Sequence, residues 1–296
     1  MKEDSCVTLY LHGGAHMIGS PGSHRDLISS LSKSVNGPVL AIDYKKSPDA
    51  MFPVAIFEAI QAYRNLLTEN PSCIYPTSSK FFINPNSPYK FKPSQIVVMG
   101  DSSGGCLTLQ TLLLIADLGL PTPKCAVLMS PQTDMLMSSE TMTSNWDSDI
   151  LCFDRVGYVF GKIAYAGERF SPVHPVVSPC YQTDFRGLPP VLIQVGDAEV
   201  LLGDTKRLFE GMRRYGGVDV EMQVWKDCFH VWHAFAGFIG DAAHEAINEV
   251  GEFVRRVEGF IECRNDDRST KFVTLRNGGK VIKVEGKRRK RRVGKS

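Results

Sequence analysis

No apolar run in the 296-residue chain reaches the roughly 18 residues needed to span a bilayer. The opening Met1-Lys2-Glu3-Asp4-Ser5 has no signal-peptide pattern. Eight cysteines (6, 73, 106, 125, 152, 180, 228 and 263) never fall into Cys-x-x-Cys spacing, which argues against a metal site, and no cofactor is expected. Several lie inside apolar stretches such as Lys124-Cys125-Ala126-Val127, where they read as buried thiols of a reducing, intracellular and cytoplasmic setting. There is no internal repeat and no Gly-x-Gly-x-x-Gly: where that fingerprint needs its second glycine the chain has Ser102, a poor fit to a phosphate loop. Net charge is only +2, and residues 280–296 hold nine Lys/Arg against one Glu, so the rest of the chain is mildly acidic. No broad nucleic-acid surface is therefore expected on the main body, and any such binding would have to come from the tail.

What the chain does have is Gly100-Asp101-Ser102-Ser103-Gly104-Gly105, entered from the apolar run Gln95-Ile96-Val97-Val98-Met99 and left through the helix-compatible run Cys106 to Leu114. Strand, sharp turn and helix around Gly-x-Ser-x-Gly is the pattern of a nucleophile elbow, in which a strained serine projects its hydroxyl above a sheet edge. Ser102 is the candidate nucleophile. Gly100 and Gly104 fall where a Cβ would meet the neighbouring strand or helix. The helix that follows aims its free N–H groups at the place where an oxyanion forms.

Ahead of the elbow, Val7-Thr8-Leu9-Tyr10-Leu11 reads as a strand leading into His12-Gly13-Gly14-Ala15-His16. Adjacent glycines after a strand let backbone N–H groups turn into a cleft, and His-Gly-Gly-x before Gly-x-Ser-x-Gly is the α/β-hydrolase order. Residues 24–35 carry helical periodicity ended by Asn36-Gly37-Pro38, Val39 to Ile42 reads as a strand, and Pro53 opens an amphipathic helix through Leu67. The Pro-, Ser- and Asn-rich stretch 70–93 reads as a surface insertion. Cys125 to Met129 is a further strand. Residues 132–170 read as a helical cap excursion over the C-terminal edge of the sheet, with apolar side chains toward an acyl group. Strands at Val191–Val195 and Val218–Trp225, with helices at Asp204–Tyr215 and Ala242–Phe260, complete an alternation that specifies a mostly parallel, doubly wound α/β sheet with helices on both faces.

A nucleophilic serine needs a base, and the base needs a carboxylate. Of the seven histidines, His230, His233 and His244 follow the strand Val191–Val195, and His230 directly follows a strand, which makes it the candidate base. Asp197, Glu199 and Asp204 cluster after Val195. Asp204 reads as a cap of the next helix, and spacing leaves Asp197 and Glu199 open.

The chain resembles the hormone-sensitive-lipase group of α/β-hydrolase carboxylesterases through His12-Gly13-Gly14-Ala15, Asp43-Tyr44 with Pro48 and Pro53 after it, Gly100 to Gly105, Gly187-Leu188-Pro189-Pro190 and Phe229-His230-Val231-Trp232. The resemblance covers residues 7 to 257 and implies serine-dependent hydrolysis of short- to medium-chain carboxylic esters. The group's acid begins a segment acid-x-Leu-x-x-Asp, which matches Glu199-Val200-Leu201-Leu202-Gly203-Asp204; this implies Glu199 as the acid, with Asp197 the runner-up because the group more often carries aspartate there. It likewise implies the N–H groups of Gly13, Gly14 and Ser103 as oxyanion donors. The group also has a longer segment ahead of the His-Gly-Gly strand, so a shortened, inactive product is one alternative. Another is a non-catalytic ligand-binding protein resembling plant gibberellin receptors, against which the presence of His230 argues.

The expected organisation is a hydrolase domain over 1–263 and a segment 264–296 holding a small hairpin around Asn277-Gly278-Gly279 and a basic disordered tail. The run Lys287, Arg288, Arg289, Lys290, Arg291, Arg292 offers a contact for an anionic surface or an import receptor.

Overall fold

The computed structural model describes residues 6–67, 90–151, 164–167 and 169–257, and two further strands at 270–275 and 281–285. Most of the 70–93 insertion, the Asn277-Gly278-Gly279 turn and the basic run at 287–292 lie outside the described residues.

In chain order the elements are β1 (Val7–Leu11), α1 (Arg25–Val35), β2 (Val39–Ile42), α2 (Val54–Leu66), β3 (Ile96–Asp101), α3 (Ser103–Asp117), β4 (Cys125–Met129), α4 (Thr141–Ser144), β5 (Val191–Gly196), α5 (Leu202–Tyr215), β6 (Val220–Trp225), α6 (Ala236–Ile239), α7 (Asp241–Arg256), β7 (Thr270–Leu275) and β8 (Val281–Glu285). They build one sheet in the order β2-β1-β3-β4-β5-β6-β7-β8. Every pairing from β2 to β7 is parallel, and β8 closes the edge antiparallel to β7. The sequence pattern ended the parallel sheet near residue 260; the structure extends it, because β7 runs beside β6 in register Val220 with Thr270.

The central strands read as unbroken apolar runs because both faces are covered, as parallel sheets require. Alternate residues of β1 enter different cores. Leu9 and Leu11 pack with Ile60 and Tyr63 of α2, Leu107 and Leu112 of α3 and Leu208 of α5. Tyr10 packs with Leu27 and Leu31 of α1 and Ile247 and Val250 of α7. At roughly 1.5–3 kcal/mol for each large apolar side chain removed from water, these two layers supply most of the drive to fold. The ends of the insertion are pinned, since Phe91 is buried and its N–H donates to Leu66 O at 2.7 Å. Among the described residues no helix is long and apolar enough to cross a membrane.

Register decides where the chemistry collects. Leu11 is level with Gly100, Asp101 with Met129, and Gly196 with Trp225. The strands therefore end together, and the loops that follow β1, β3, β4, β5 and β6 meet at one carboxyl edge, where ligands of open α/β sheets bind.

Candidate active site

Ser102 occupies φ 53°, ψ −123° between β3 and α3, a conformation that L-residues avoid and that surrounding bonds must impose. The end of β4 imposes it: Ser102 N–H donates to Met129 O at 2.9 Å, and Ser102 O accepts Gln132 N–H at 3.0 Å. The turn is tight enough that a Cβ on Gly100 would strike the carbonyl of Gly104, and one on Gly104 the carbonyl of Leu11. The elbow expected from the sequence is formed.

The loop after β6 brings His230 to it. His230 Nε2 lies 2.8 Å from Ser102 Oγ, and Nδ1 lies 3.1 Å from Glu199 Oε2. The carboxylate acceptor places the ring proton on Nδ1, so Nε2 accepts from the serine. Glu199 is fully buried after β5, and its Oε1 accepts Gly196 N–H and Ser130 Oγ–H, each at 2.7 Å. Burial raises the Glu199 carboxyl, and the donors from His230, Gly196 and Ser130 pull against it. Burial alone would lower the His230 imidazole; the hydrogen bond and charge of Glu199 outweigh it, and its pKa is raised.

The two acids that spacing left open separate in space. Asp197 is exposed, and its Oδ1 accepts Asp227 N–H at 2.7 Å, holding a turn in which Asp227 has φ 57°. Glu199, two residues on, faces His230. Asp204 is no helix cap: Leu201 holds the cap position, Asp204 is the third residue inside α5, and burial pushes its carboxyl up to about 7. His233 is buried against Trp232 with Nε2 3.0 Å from Gln194 Oε1, away from Ser102 in the bonding pattern, and burial lowers it to about 3.

The glycine loop differs from expectation at one position. Gly13 N–H donates to Asp101 Oδ1 at 3.0 Å, so this group is committed inside the protein and is not a free oxyanion donor. Gly14 and Ser103, the other two expected donors, make no backbone N–H bond to a protein acceptor among the described residues, and the same is true of Ala15. Asp101 also accepts Tyr10 Oη–H at 2.5 Å, and its Oδ2 is 3.4 Å from His24 Nε2. Burial raises the Asp101 carboxyl, but His24, Tyr10 and Gly13 outweigh it and hold it below the usual carboxylate range. The loop is fixed from its other side as well. Tyr44 stacks on His12 and donates to His12 O at 2.6 Å, and His16 N–H donates to Ser103 Oγ at 3.1 Å. The His16 ring stacks on Tyr165 at 3.7 Å between centroids, and burial lowers it to about 3, leaving a neutral aromatic filler.

Two positioning residues escaped the sequence reading. Ser130 follows the last residue of β4, and nothing in the local pattern marks it, yet it stands at φ 47°, donates to Glu199 and accepts Val231 N–H at 3.1 Å. Asp101 fills the variable position of Gly-x-Ser-x-Gly; an acid there, beside a buried elbow, was the available signal. Of the 132–170 excursion, Phe153, Tyr158 and Phe160 lie outside the described residues, whereas Asn145 and Tyr165 pack against the acid loop and the glycine loop. Together these groups present a hydroxyl, an imidazole that can take its proton, a carboxylate behind the imidazole and free N–H donors at a helix start, which is the equipment for acyl transfer.

Residues 8–234 match the family described as alpha/beta hydrolase fold. The chain is similar to an acetyl-hydrolase of Streptomyces hygroscopicus, 33% identical over 262 residues that cover 87% of this chain and 78% of the relative. A solved structure of an esterase from the bacterial hormone-sensitive lipase family superposes with a TM-score of 0.74 at 33% identity, covering 86% of this chain and 78% of that one. The crystal structure of EstE5 soaked with p-nitrophenyl butyrate gives the same TM-score of 0.74 at 31% identity, covering 86% and 77%.

Proposed function

Because the chain belongs to the α/β-hydrolase fold family, in its hormone-sensitive-lipase-like branch, and is a carboxylic ester hydrolase, we propose that it works through a Ser102 acyl-enzyme. Ser102 Oγ attacks the ester carbonyl as its proton passes to His230 Nε2, and Glu199 stabilises the imidazolium through Nδ1–H. The N–H groups of Gly14 and Ser103, with that of Ala15 beside them, receive the carbonyl oxygen as it becomes an oxyanion. His230 then returns the proton to the departing alkoxide. In the second half a water gives its proton to His230 and attacks the acyl carbon, and Ser102 regains its hydrogen as the acid leaves.

The observation that carries this reading is the unbroken line Ser102 Oγ, His230 Nε2, His230 Nδ1, Glu199 Oε2 at 2.8 and 3.1 Å. A protein that only bound a ligand would gain nothing from a buried imidazole aligned between hydroxyl and carboxylate. The substrates are small esters of short to medium acyl length, a reading supported by the acetyl-hydrolase relative. The five described cysteines are all buried and free, which supports a reducing cytoplasmic setting. In the same reading the basic run Lys287 to Arg292 would meet an anionic surface or an import receptor.

The test is turnover of p-nitrophenyl acetate and butyrate by the purified chain beside Ser102→Ala. Hydrolysis that the variant loses while keeping its cooperative melt is the expected result. Equal turnover by both proteins would overturn the nucleophile, and two folded but inactive proteins would favour a binding function.

A further inference from the structure

Asp149 lies in the excursion between β4 and β5, buried to 2% exposure. Its Oδ1 accepts the backbone N–H of His230 and its Oδ2 the backbone N–H of Val200, both at 2.9 Å. One oxygen therefore holds the base itself and the other the residue that follows the acid. A single rigid carboxylate sets the separation of two loops whose side chains must meet at 3.1 Å. The same segment grips the acid loop four more times, through Asn145 Nδ2 to Asp197 O and Glu199 O, each at 2.9 Å, Ser148 Oγ to Ala198 O at 3.0 Å, and Thr141 Oγ1 to Val200 O at 2.7 Å. The carbonyls of residues 197, 198, 199 and 200 are all engaged from the excursion, and among the described residues only Asp149 reaches across to the base.

Its charge has a second effect. The titratable groups that act on His230 are Glu199 from the β5 loop, Asp149 from the excursion, Asp101 from the end of β3, and His233 from its own loop, which burial keeps neutral. After Glu199, Asp149 is the next contributor favouring the charged imidazole. When Ser102 gives its proton to His230 Nε2, the imidazolium forms within the field of this carboxylate.

We propose that Asp149 is a positioning residue of the hydrolase, fixing the Glu199–His230 pair by bonding both loop backbones and adding negative charge opposite the imidazolium. The inference rests on Ser102, His230 and Glu199 acting as described above.

The experiment compares wild type, Ser102→Ala, Asp149→Asn and Asp149→Glu as full chains, reading kcat and KM for p-nitrophenyl butyrate across pH. In Asp149→Asn the amide can accept from only one of the two N–H groups and carries no charge. Its kcat is expected to fall about tenfold to hundredfold, the range for a lost hydrogen bond to a charged group, with KM within roughly twofold of wild type. Its acid limb moves to lower pH, because the imidazolium has lost a stabilising charge. Asp149→Glu keeps the charge and the position of the limb but loses kcat, since the added methylene displaces the loops. Wild-type kcat and an unmoved limb in Asp149→Asn would overturn the inference, and so would a loss confined to KM. Should Asp149→Asn fail to melt cooperatively, Asp149→Glu decides, and wild-type kcat there would overturn it. The Ser102→Ala arm keeps the two readings apart: turnover surviving that substitution defeats the serine mechanism, whereas Ser102-dependent turnover with an indifferent Asp149→Asn defeats this inference alone.

Discussion

The carboxylate of Asp101 accepts the backbone N–H of Gly13 at 3.0 Å, joining the residue before the nucleophile to the loop that follows β1. The bond ties the proposed nucleophile and the proposed oxyanion loop into one rigid unit. It is strengthened by Tyr10 and by His24, whose pKa is raised: burial would lower it, and the bond and charge of Asp101 outweigh that effect. Asp101→Asn removes the charge that holds both partners while keeping the shape. Loss of one oxyanion donor costs about 10²–10³ in kcat, so a displaced but present loop is expected to cost roughly tenfold to hundredfold, with KM little changed. Steady-state kinetics on a short ester check this; unchanged kcat would show that Gly14 is positioned without Asp101.

Glu199 and Asp197 make opposite predictions two residues apart. Glu199→Gln removes the charge opposite the imidazolium and allows the wrong tautomer of His230, for which a loss of about 10⁴ in kcat is the order expected of a triad carboxylate. Asp197→Asn alters an exposed side chain that holds a turn at Asp227 and is expected to stay within roughly twofold of wild type, the surface-substitution range. Parallel kinetics on the two variants check the ranking.

Ser130 supports Glu199 from beneath. Ser130→Ala removes its bond to Oε1 at 2.7 Å and leaves Val231 N–H without its acceptor. Glu199 keeps the Gly196 N–H, so the expected loss in kcat is about tenfold to hundredfold and far smaller than for Glu199→Gln. Kinetics and a melting curve together check this prediction, since a purely structural role would lower Tm and spare kcat.

The pH dependence follows from the sign of the shift at His230. Burial would lower its pKa, but Glu199, helped by Asp149 and Asp101, raises it above the ordinary 6.5. The base must be unprotonated, so kcat/KM is full above the raised value and is lost as pH falls through it. The acid limb is therefore expected at a midpoint above 6.5, and Glu199→Gln shifts any residual limb downward. A wild-type midpoint below 6.5 would contradict the pairing.

Much of this was legible in the chain because the signals are local. Val97 to Gly105 states a buried strand, an elbow and a helix in consecutive residues, and Phe229-His230 follows a strand directly. The parts that were not legible depend on neighbours remote in sequence. Gly13 looks like a free donor until β1 is set beside β3 and Asp101 arrives 88 residues later. Ser130 looks like a strand end until its positive φ turns the hydroxyl toward the acid loop. Glu199 and Asp197 are separated only by the turn after Gly196, which buries one and exposes the other. Asp204 has the composition of a cap, but Leu201 takes that place because the buried pair Val200 and Leu201 fixes where α5 begins.

The most direct test of the central claim is to trap the nucleophile with an alkylphosphonate p-nitrophenyl ester and to locate the adduct by peptide mass spectrometry. The account predicts one equivalent of p-nitrophenolate released per chain, the adduct on the peptide carrying Ser102, loss of esterase activity in step with labelling, and no labelling of Ser102→Ala. An adduct on another residue, or ester hydrolysis that continues at full rate in the labelled protein, would contradict it.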